Sequence, residues 1–140
     1  MRSVMVFGTF DPLHEGHRFL FREAKKHGDS LTVVVARDKN VLRVKGNEPA
    51  HKEQDRLRHV RAEPHVDRAV LGHIDDVYRI LEETRPAVIC LGYDQRAFTD
   101  TLEAELARRS ITATVIRLPA YRPETYKSSL IKKSNSFSTA

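Results

Sequence analysis

The sequence predicts an α/β protein, with a Rossmann-like, doubly wound parallel sheet of five strands in a single domain. Short apolar runs alternate along the chain with amphipathic segments of helix length, which is the pattern of successive βαβ units. Most of the runs are almost continuously apolar, as expected for strands that are covered on both faces. The chain of 140 residues is of single-domain size, and no internal repeat or linker divides it.

The first βαβ unit opens the chain. A strand is predicted over Ser3 to Phe7, because this short run is apolar and a glycine follows it. A helix is predicted over Glu15 to His27, where apolar side chains recur at helical spacing before Gly28 gives a stop signal. The apolar run from Leu31 to Ala36 predicts the second strand. We expect the two strands to be parallel and joined by a right-handed crossover.

The later elements repeat this alternation. We predict three helices and three strands, namely helices over His51 to Ala62, Asp75 to Thr84 and Thr99 to Arg109, and strands over Val66 to Leu71, Ala87 to Leu91 and Ala113 to Leu118. A further short helix is predicted to begin near Lys127 or Ser128. The domain is predicted to span residues 1–133, and the polar segment 134–140 is predicted to be a disordered tail.

The segment from Arg37 to Ala50 breaks the alternation. It is rich in basic residues and shows little apolar periodicity, so we predict a basic, mobile loop. The segment begins at the carboxyl end of the second strand, where open parallel sheets bind ligands. It is therefore a candidate lid over phosphates, and Lys45, next to Gly46, is its strongest candidate for phosphate contact.

Composition and charge narrow the classes of function. The net charge of +5 fits nucleic acid and small phosphorylated substrates equally well. The aromatic residues do not cluster as a base-stacking platform, and helix-turn-helix or zinc-finger spacings are absent from the sequence, so nucleic acid is not the expected partner. The apolar runs are too short to span a bilayer or to form a signal peptide, which predicts a cytoplasmic location. The single cysteine, Cys90, lies in an apolar run and is predicted to be a buried, inert thiol.

The ten residues from Gly8 to His17, Gly-Thr-Phe-Asp-Pro-Leu-His-Glu-Gly-His, connect the first strand to the first helix. A strand, a tight turn and a helix start present free backbone N–H groups to an anion. His14 and His17 are three residues apart, so they lie on one side of the helix and can donate to one phosphate. Gly16 removes a side chain where a nucleotide would approach. The chain has neither a GxGxxG nor a Walker A sequence, and zinc would need a third ligand.

This decapeptide resembles the HxGH signature of the cytidylyltransferase-like nucleotidyltransferases, and its strand–turn–helix context agrees. The resemblance implies nucleotide contacts from seven residues of the motif: Thr9, Phe10, Asp11, His14, Glu15, Gly16 and His17. Thr9 and Phe10 would contribute backbone groups, and the two histidines would lie on the phosphates. Asp11 would shape the pocket or place a metal. His14 and His17, together with Lys45, are the predicted catalytic residues.

Three further stretches resemble the archaeal-type FAD synthetases, which are relatives of the glycerol-3-phosphate cytidylyltransferases. They are Val-Val-Ala-Arg-Asp after the second strand, Val-Asp-Arg-Ala-Val-Leu-Gly in the third and Leu-Gly-Tyr-Asp-Gln after the fourth. The resemblance extends from residue 3 to about residue 133. It implies that Asp94 contacts the nucleotide at a ribose hydroxyl or a base amino group. It also implies a phosphate contact from Arg56, which matches a family arginine that follows the lid.

A third polar cluster follows the fifth strand and resembles the C-terminal motif of the family, in which an arginine precedes serine and threonine residues at a helix start. Ser128 and Ser129 match the hydroxyl pair and are implied to hold the β- and γ-phosphates. Tyr121 stands at the position of the arginine, with Arg122 one place later, and Lys127 replaces the first serine. The basic residue that meets the triphosphate is therefore open between Arg122 and Lys127, and Tyr121 would stack on the nucleotide or bond to it instead.

The resemblance implies an FMN adenylyltransferase, which converts ATP and FMN to FAD and pyrophosphate. The FMN phosphate would attack the α-phosphorus in line, while His14, His17, Lys45 and a divalent metal neutralise charge. Magnesium, as the metal–nucleotide complex, is the default for a triphosphate. Two alternatives stay open: a glycerol-3-phosphate cytidylyltransferase-like enzyme that uses CTP and a phosphorylated alcohol, and a non-enzymatic nucleotide or nucleic-acid-binding module. A homodimer is also left open, since dimers are common among such enzymes.

Overall fold

The structure, a computed structural model, describes residues 2–93, 95 and 101–121, and its centre is a five-stranded sheet. The strands are β1 (Ser3–Gly8), β2 (Ser30–Val35), β3 (Arg68–Leu71), β4 (Val88–Leu91) and β5 (Thr114–Arg117). They are hydrogen-bonded in the order β3-β2-β1-β4-β5, and every pair is parallel. The strand order reverses at β1, and open α/β sheets bind their ligands beside such a reversal, at the carboxyl ends of the strands.

The described residues form five helices, which cover both faces of the sheet: α1 (Glu15–Lys25), α2 (Asp38–Lys45), α3 (Glu53–Arg61), α4 (Arg79–Thr84) and α5 (Leu102–Arg108). Side chains alternate along β1, so Val4 and Val6 pack with α1 and α3 while Met5 and Phe7 pack with α4 and α5. The predicted doubly wound parallel sheet is confirmed. Cys90 is fully buried, as predicted, and its burial raises the pKa of the thiol to about 11.

The prediction of a loop from Arg37 to Ala50 is wrong, because α2 lies within this segment. The buried side chains of this helix are those of Asn40 and Val41. Two adjacent buried residues are too few to produce helical periodicity in the sequence. The Asn40 Nδ2 donates to the carbonyl of His73 at 3.1 Å. Gly46 ends the helix in the left-handed region, with φ of 82°, a conformation that glycine adopts without steric cost.

The helix predicted over Asp75 to Thr84 is shorter than expected and begins at Arg79. The carboxylate of Asp76 accepts the backbone N–H of Tyr78 at 3.1 Å. Such a side-chain bond to the backbone two residues on competes with the helix and favours a turn.

In the part of the chain that the structure describes, we find no helix with the length and apolar character that crossing a membrane requires.

Candidate functional site

The histidine pair lies at the N-terminus of α1. His14 is the N-cap residue, with an extended backbone, and its Nδ1 accepts the N–H of Gly16 at 3.0 Å. The Nδ1 of His17 accepts the N–H of His14 at 3.3 Å. The two imidazoles therefore form a reciprocal capping box, in which each satisfies a backbone donor at the helix start.

These bonds fix which nitrogen of each ring carries the proton. A neutral imidazole that accepts through Nδ1 holds its proton on Nε2, so both rings offer an Nε2–H donor. The rings are stacked, with centroids 3.8 Å apart and planes inclined by 23°, so the two imidazoles lie together at the helix start. Together with the backbone N–H groups at the start of α1, they form a cluster of donors suited to phosphate oxygens.

Gly16 leaves space for the imidazole ring of His14, which lies over the backbone at this position. A Cβ atom at this position would lie 2.9 Å from Cε1 and 3.1 Å from Nδ1 of that ring. The imidazole would therefore have to shift if a side chain were added at this position. The contact with the His14 ring is thus a second reason for glycine at this position, beside the predicted approach of a nucleotide.

Phe10 connects the histidine pair to the core. Its side chain is 2% exposed, and its ring meets the ring of His17 edge-on at 5.0 Å and that of Phe21 at 5.3 Å. The backbone of Phe10 has φ of 57°, which is uncommon for a bulky residue. The buried ring is thus the anchor that holds this turn and, through it, the plane of His17.

The Asp11 carboxylate holds the segment before α3 against the turn. It accepts the N–H groups of Ala50 at 2.6 Å and His51 at 3.0 Å, and it contacts Nδ1 of His51 at 2.6 Å. Burial raises the pKa of Asp11, but these hydrogen bonds outweigh it and hold the pKa below its usual value. The role of Asp11 at the nucleotide or a metal stays a prediction, while its observed contacts are with the segment before α3. Within the described residues, no group of three or more His, Cys, Asp or Glu side chains is placed to hold a metal ion.

Arg56 is fully buried, with 0% exposure, and ties four segments together. Its guanidinium donates to the carbonyls of His51, Thr9 and Ala36 at 2.8 to 3.0 Å and to the carboxylate of Asp38 at 2.6 Å. These bonds occupy four of its five donors. The predicted phosphate contact of Arg56 is corrected: the side chain has no surface to offer a ligand and instead fixes the carboxyl ends of β1 and β2.

A cavity of about 450 Å³ opens beside these strand ends, within the range that holds cofactor-sized ligands. Its wall is mainly apolar and comes from β1, β2, α2 and the segment after β3, with Phe7, Gly8, Thr9, Val34, Val41, Val44, Gly72, Val77 and Tyr78 among its residues. Arg43 and Lys45 on α2 are exposed and also line it. Lys45 thus lies at a ligand-sized cavity, as its predicted role requires, although on a helix and not in a loop.

Residues that the sequence did not reveal tie the turn after β4 in place. The side chain of Gln95 donates from Nε2 to the carbonyl of Phe7 at 3.0 Å and accepts the N–H of Gly92 at 2.8 Å. Arg117, at the end of β5, donates to the carbonyls of Gly92 and Gln95 at 2.8 and 3.0 Å. The bond from Gln95 to Phe7 spans 88 residues and that from Arg117 to Gly92 spans 25, so no local pattern could have indicated them.

The remaining predicted residues divide into two groups. Glu15 is exposed and pairs with Arg18 at 3.0 Å, and the ring of Tyr121 packs on Phe19 with centroids 5.5 Å apart, beside α1. The others lie outside the described residues and stay predictions: Asp94, Arg122, Lys127, Ser128 and Ser129. The predicted helix near Lys127 and the predicted tail lie there as well.

Comparisons with known proteins agree with this geometry. A family model described as cytidylyltransferase-like matches residues 5–134. The chain is 48% identical over 121 residues to an FAD synthase of Aciduliprofundum boonei, which covers 86% of this chain and 80% of the relative. It is 42% identical over 129 residues to an FAD synthase of Methanocorpusculum labreanum, covering 92% and 91%. The crystal structure of the lipopolysaccharide core biosynthesis protein from Thermoplasma volcanium matches with a TM-score of 0.81 and 40% identity, over 87% of this chain and 99% of that one.

Proposed function

Because the chain belongs to the cytidylyltransferase-like family and, within it, to the FAD synthases, we propose that it transfers AMP from ATP to FMN and releases FAD and pyrophosphate. The observation that carries this proposal is the pair of Nε2–H donors of His14 and His17 at the start of α1. Donors in that place suit the phosphates of a nucleoside triphosphate. The cavity at the carboxyl ends of β1 and β2 is the proposed room for the acceptor.

The reaction needs positioning and charge stabilisation more than covalent chemistry. An oxygen of the FMN phosphate forms a bond to the α-phosphorus, while the bond from that phosphorus to the bridging oxygen of pyrophosphate breaks. The acceptor is already an anion, so no enzyme nucleophile is required. His14 and His17 are proposed to donate to phosphate oxygens as charge develops in the transition state.

The apolar cavity is the proposed site of the flavin ring. An isoalloxazine ring is large, planar and mostly apolar, and the wall from β1, β2 and α2 matches it. Lys45 and Arg43 lie at the same cavity, where their charges would attract the FMN phosphate. Gly8 and Thr9 line the cavity and directly precede the turn that carries the histidine pair, so acceptor and nucleotide are proposed to meet at one edge of the sheet.

The remaining nucleotide contacts and partners are part of the same proposal. Tyr121 and the residues outside the described ranges (Asp94, Arg122, Lys127, Ser128 and Ser129) are the proposed contacts to the rest of ATP. A divalent ion, magnesium by default, is proposed to arrive bound to the triphosphate, since the described side chains form no metal cage. We expect a cytoplasmic enzyme without nucleic-acid or membrane partners, and sedimentation would decide whether it forms a homodimer.

The direct test is an assay of purified protein with ATP plus FMN and, in parallel, with CTP plus glycerol 3-phosphate. We expect pyrophosphate release and FAD formation with the first pair only. Activity with the second pair alone would replace the proposal by the cytidylyltransferase alternative. Release of no pyrophosphate with either pair, together with salt-dependent binding to oligonucleotides, would indicate a non-enzymatic binding module.

A further inference from the structure

Tyr78 is an aromatic residue in the wall of the cavity, and two contacts hold it in place. Its hydroxyl is hydrogen-bonded to Oγ1 of Thr101, and its backbone N–H donates to the Asp76 carboxylate at 3.1 Å. The side chain is partly buried and packs on the apolar cluster between the sheet and α4 and α5. Both the backbone and the far end of the side chain are therefore anchored before any ligand enters.

The side chain of Arg109 further restrains Tyr78. Its side chain is only 7% exposed, yet it pairs with three carboxylates, those of Asp76, Glu82 and Glu105, at 2.8 to 3.1 Å. The same guanidinium lies 5.7 Å from the centroid of the Tyr78 ring, a distance typical of a cation–π contact. The ion-pair network thus joins α4, α5 and the turn before α4 and restrains the ring at the cavity.

A restrained aromatic ring costs little entropy when it binds a planar ligand. Val34, Val44 and Val77 also line the cavity, but aliphatic side chains offer no π surface. Phe7 on β1 also lines the cavity, but its side chain belongs to the apolar cluster on that face of the sheet and is only 9% exposed. Among the described residues of the wall, Tyr78 and His73 are the half-buried aromatic side chains, and Tyr78 has the larger and more apolar ring.

We propose that Tyr78 forms the aromatic wall against which the isoalloxazine ring of the acceptor packs, held there by Thr101, Asp76 and Arg109. This inference rests on the proposed function and names a residue that selects a flavin over a non-aromatic phosphorylated alcohol. A glycerol phosphate would leave this surface exposed to water. A planar aromatic ligand covers it and gains the aromatic contact in addition to the buried area.

The protein offers a clean optical test, because the chain contains no tryptophan. A phenol in contact with an isoalloxazine quenches flavin fluorescence by transient electron transfer, whereas a phenyl ring does not. FMN is titrated with the full-length protein in the absence of ATP, and affinity is measured separately by calorimetry. The variants are Tyr78→Phe, which keeps the ring, and Tyr78→Leu, which removes it. Tyr93→Leu is the control, because Tyr93 is exposed and does not line the cavity.

We expect FMN to be quenched on binding to the unchanged protein and to the Tyr93→Leu variant. Tyr78→Phe should keep the affinity within about threefold but lose the quenching, and Tyr78→Leu should weaken binding roughly tenfold, the scale of losing a stacked ring. Equal quenching in Tyr78→Phe and unchanged affinity in Tyr78→Leu would overturn the inference and leave FAD synthesis standing. If the unchanged protein neither binds FMN nor converts it to FAD, the proposed function itself fails.

Discussion

The imidazole rings of His14 and His17 are stacked with their centroids 3.8 Å apart, and each accepts a backbone N–H through Nδ1. The same two side chains therefore cap α1 and present Nε2–H donors to the site. The side chains that cap the helix are therefore the same ones that are proposed to bind phosphate. Substitutions that keep an acceptor in the place of Nδ1 but remove the Nε2–H donor can test this double role.

Replacing His14 by asparagine should separate capping from catalysis. Asparagine caps helices well and can accept the Gly16 N–H, so His14→Asn should keep stability within a few tenths of a kcal/mol, while His14→Ala should lose about 1 kcal/mol. Both variants lack the Nε2–H donor and should lose about 10²-fold or more in turnover, the scale of one transition-state donor. Urea unfolding and pyrophosphate release measure the two effects.

The matched control for this pair is His59→Asn, because His59 is exposed on α3 and is not one of the proposed site residues. It should leave both turnover and stability nearly unchanged. Near-normal turnover in His14→Asn would show that the Nε2–H group is not used, and equal losses of stability in both His14 variants would show that the imidazole is not the cap.

Gly16→Ala should reduce activity although alanine is the better helix former. The added Cβ would lie 2.9 Å from Cε1 of His14, so the ring must move, and a displacement of about 1 Å in such a site can cost 10²-fold in rate. In a His14→Asn background the clash is relieved, and the same substitution should then stabilise the protein by up to about 1 kcal/mol. A double-mutant cycle of urea unfolding measures this coupling. Additive effects on stability would contradict the contact.

Local patterns predicted the sheet and the placement of the histidine pair, since the runs at β1, β2 and β4 are apolar and the HxGH stretch begins at the N-cap of α1 and forms its first turn. They did not reveal α2, whose buried footprint is limited to Asn40 and Val41. Propensity and periodicity act over neighbouring residues, and such a short footprint leaves no period to detect.

Long-range hydrogen bonds explain why the sequence did not indicate the partners of Arg56 and Asp11. The family resemblance implied a phosphate contact from Arg56, but the carbonyls of Thr9 and Ala36, 47 and 20 residues away, accept its hydrogen bonds. Asp11 is likewise occupied by a segment 40 residues further along the chain. Such partners are brought together only by the tertiary fold, so a single sequence does not contain a signal for them.

Arg56→Lys should act on stability, because lysine cannot reach the four acceptors that the guanidinium fork serves. Lysine keeps the positive charge but has three donors at one point for four acceptors, so at least one acceptor loses its hydrogen bond, at a cost of about 1 to 3 kcal/mol. The control is Arg58→Lys on the same helix, whose exposed pair with Asp55 should contribute less than about 1 kcal/mol. Urea unfolding measures both. A raised KM for ATP with unchanged stability in Arg56→Lys would restore the predicted phosphate contact.

The contact between Asp11 and His51 should make stability depend on pH in the acid range. Hydrogen bonds hold the pKa of Asp11 below its usual value in the folded protein, whereas the unfolded chain has a carboxyl pKa of about 3.9. The folded state therefore prefers the ionised form, and its added stability is present above the unfolded pKa and is lost as pH falls through the folded pKa. The difference in unfolding free energy between the unchanged protein and Asp11→Asn should be largest near neutral pH and should shrink below about pH 4. Asp75→Asn is the control, since Asp75 pairs with Arg79 at an exposed surface, and a difference for Asp11→Asn that stays constant from neutral to acid pH would exclude an ionised carboxylate at this turn.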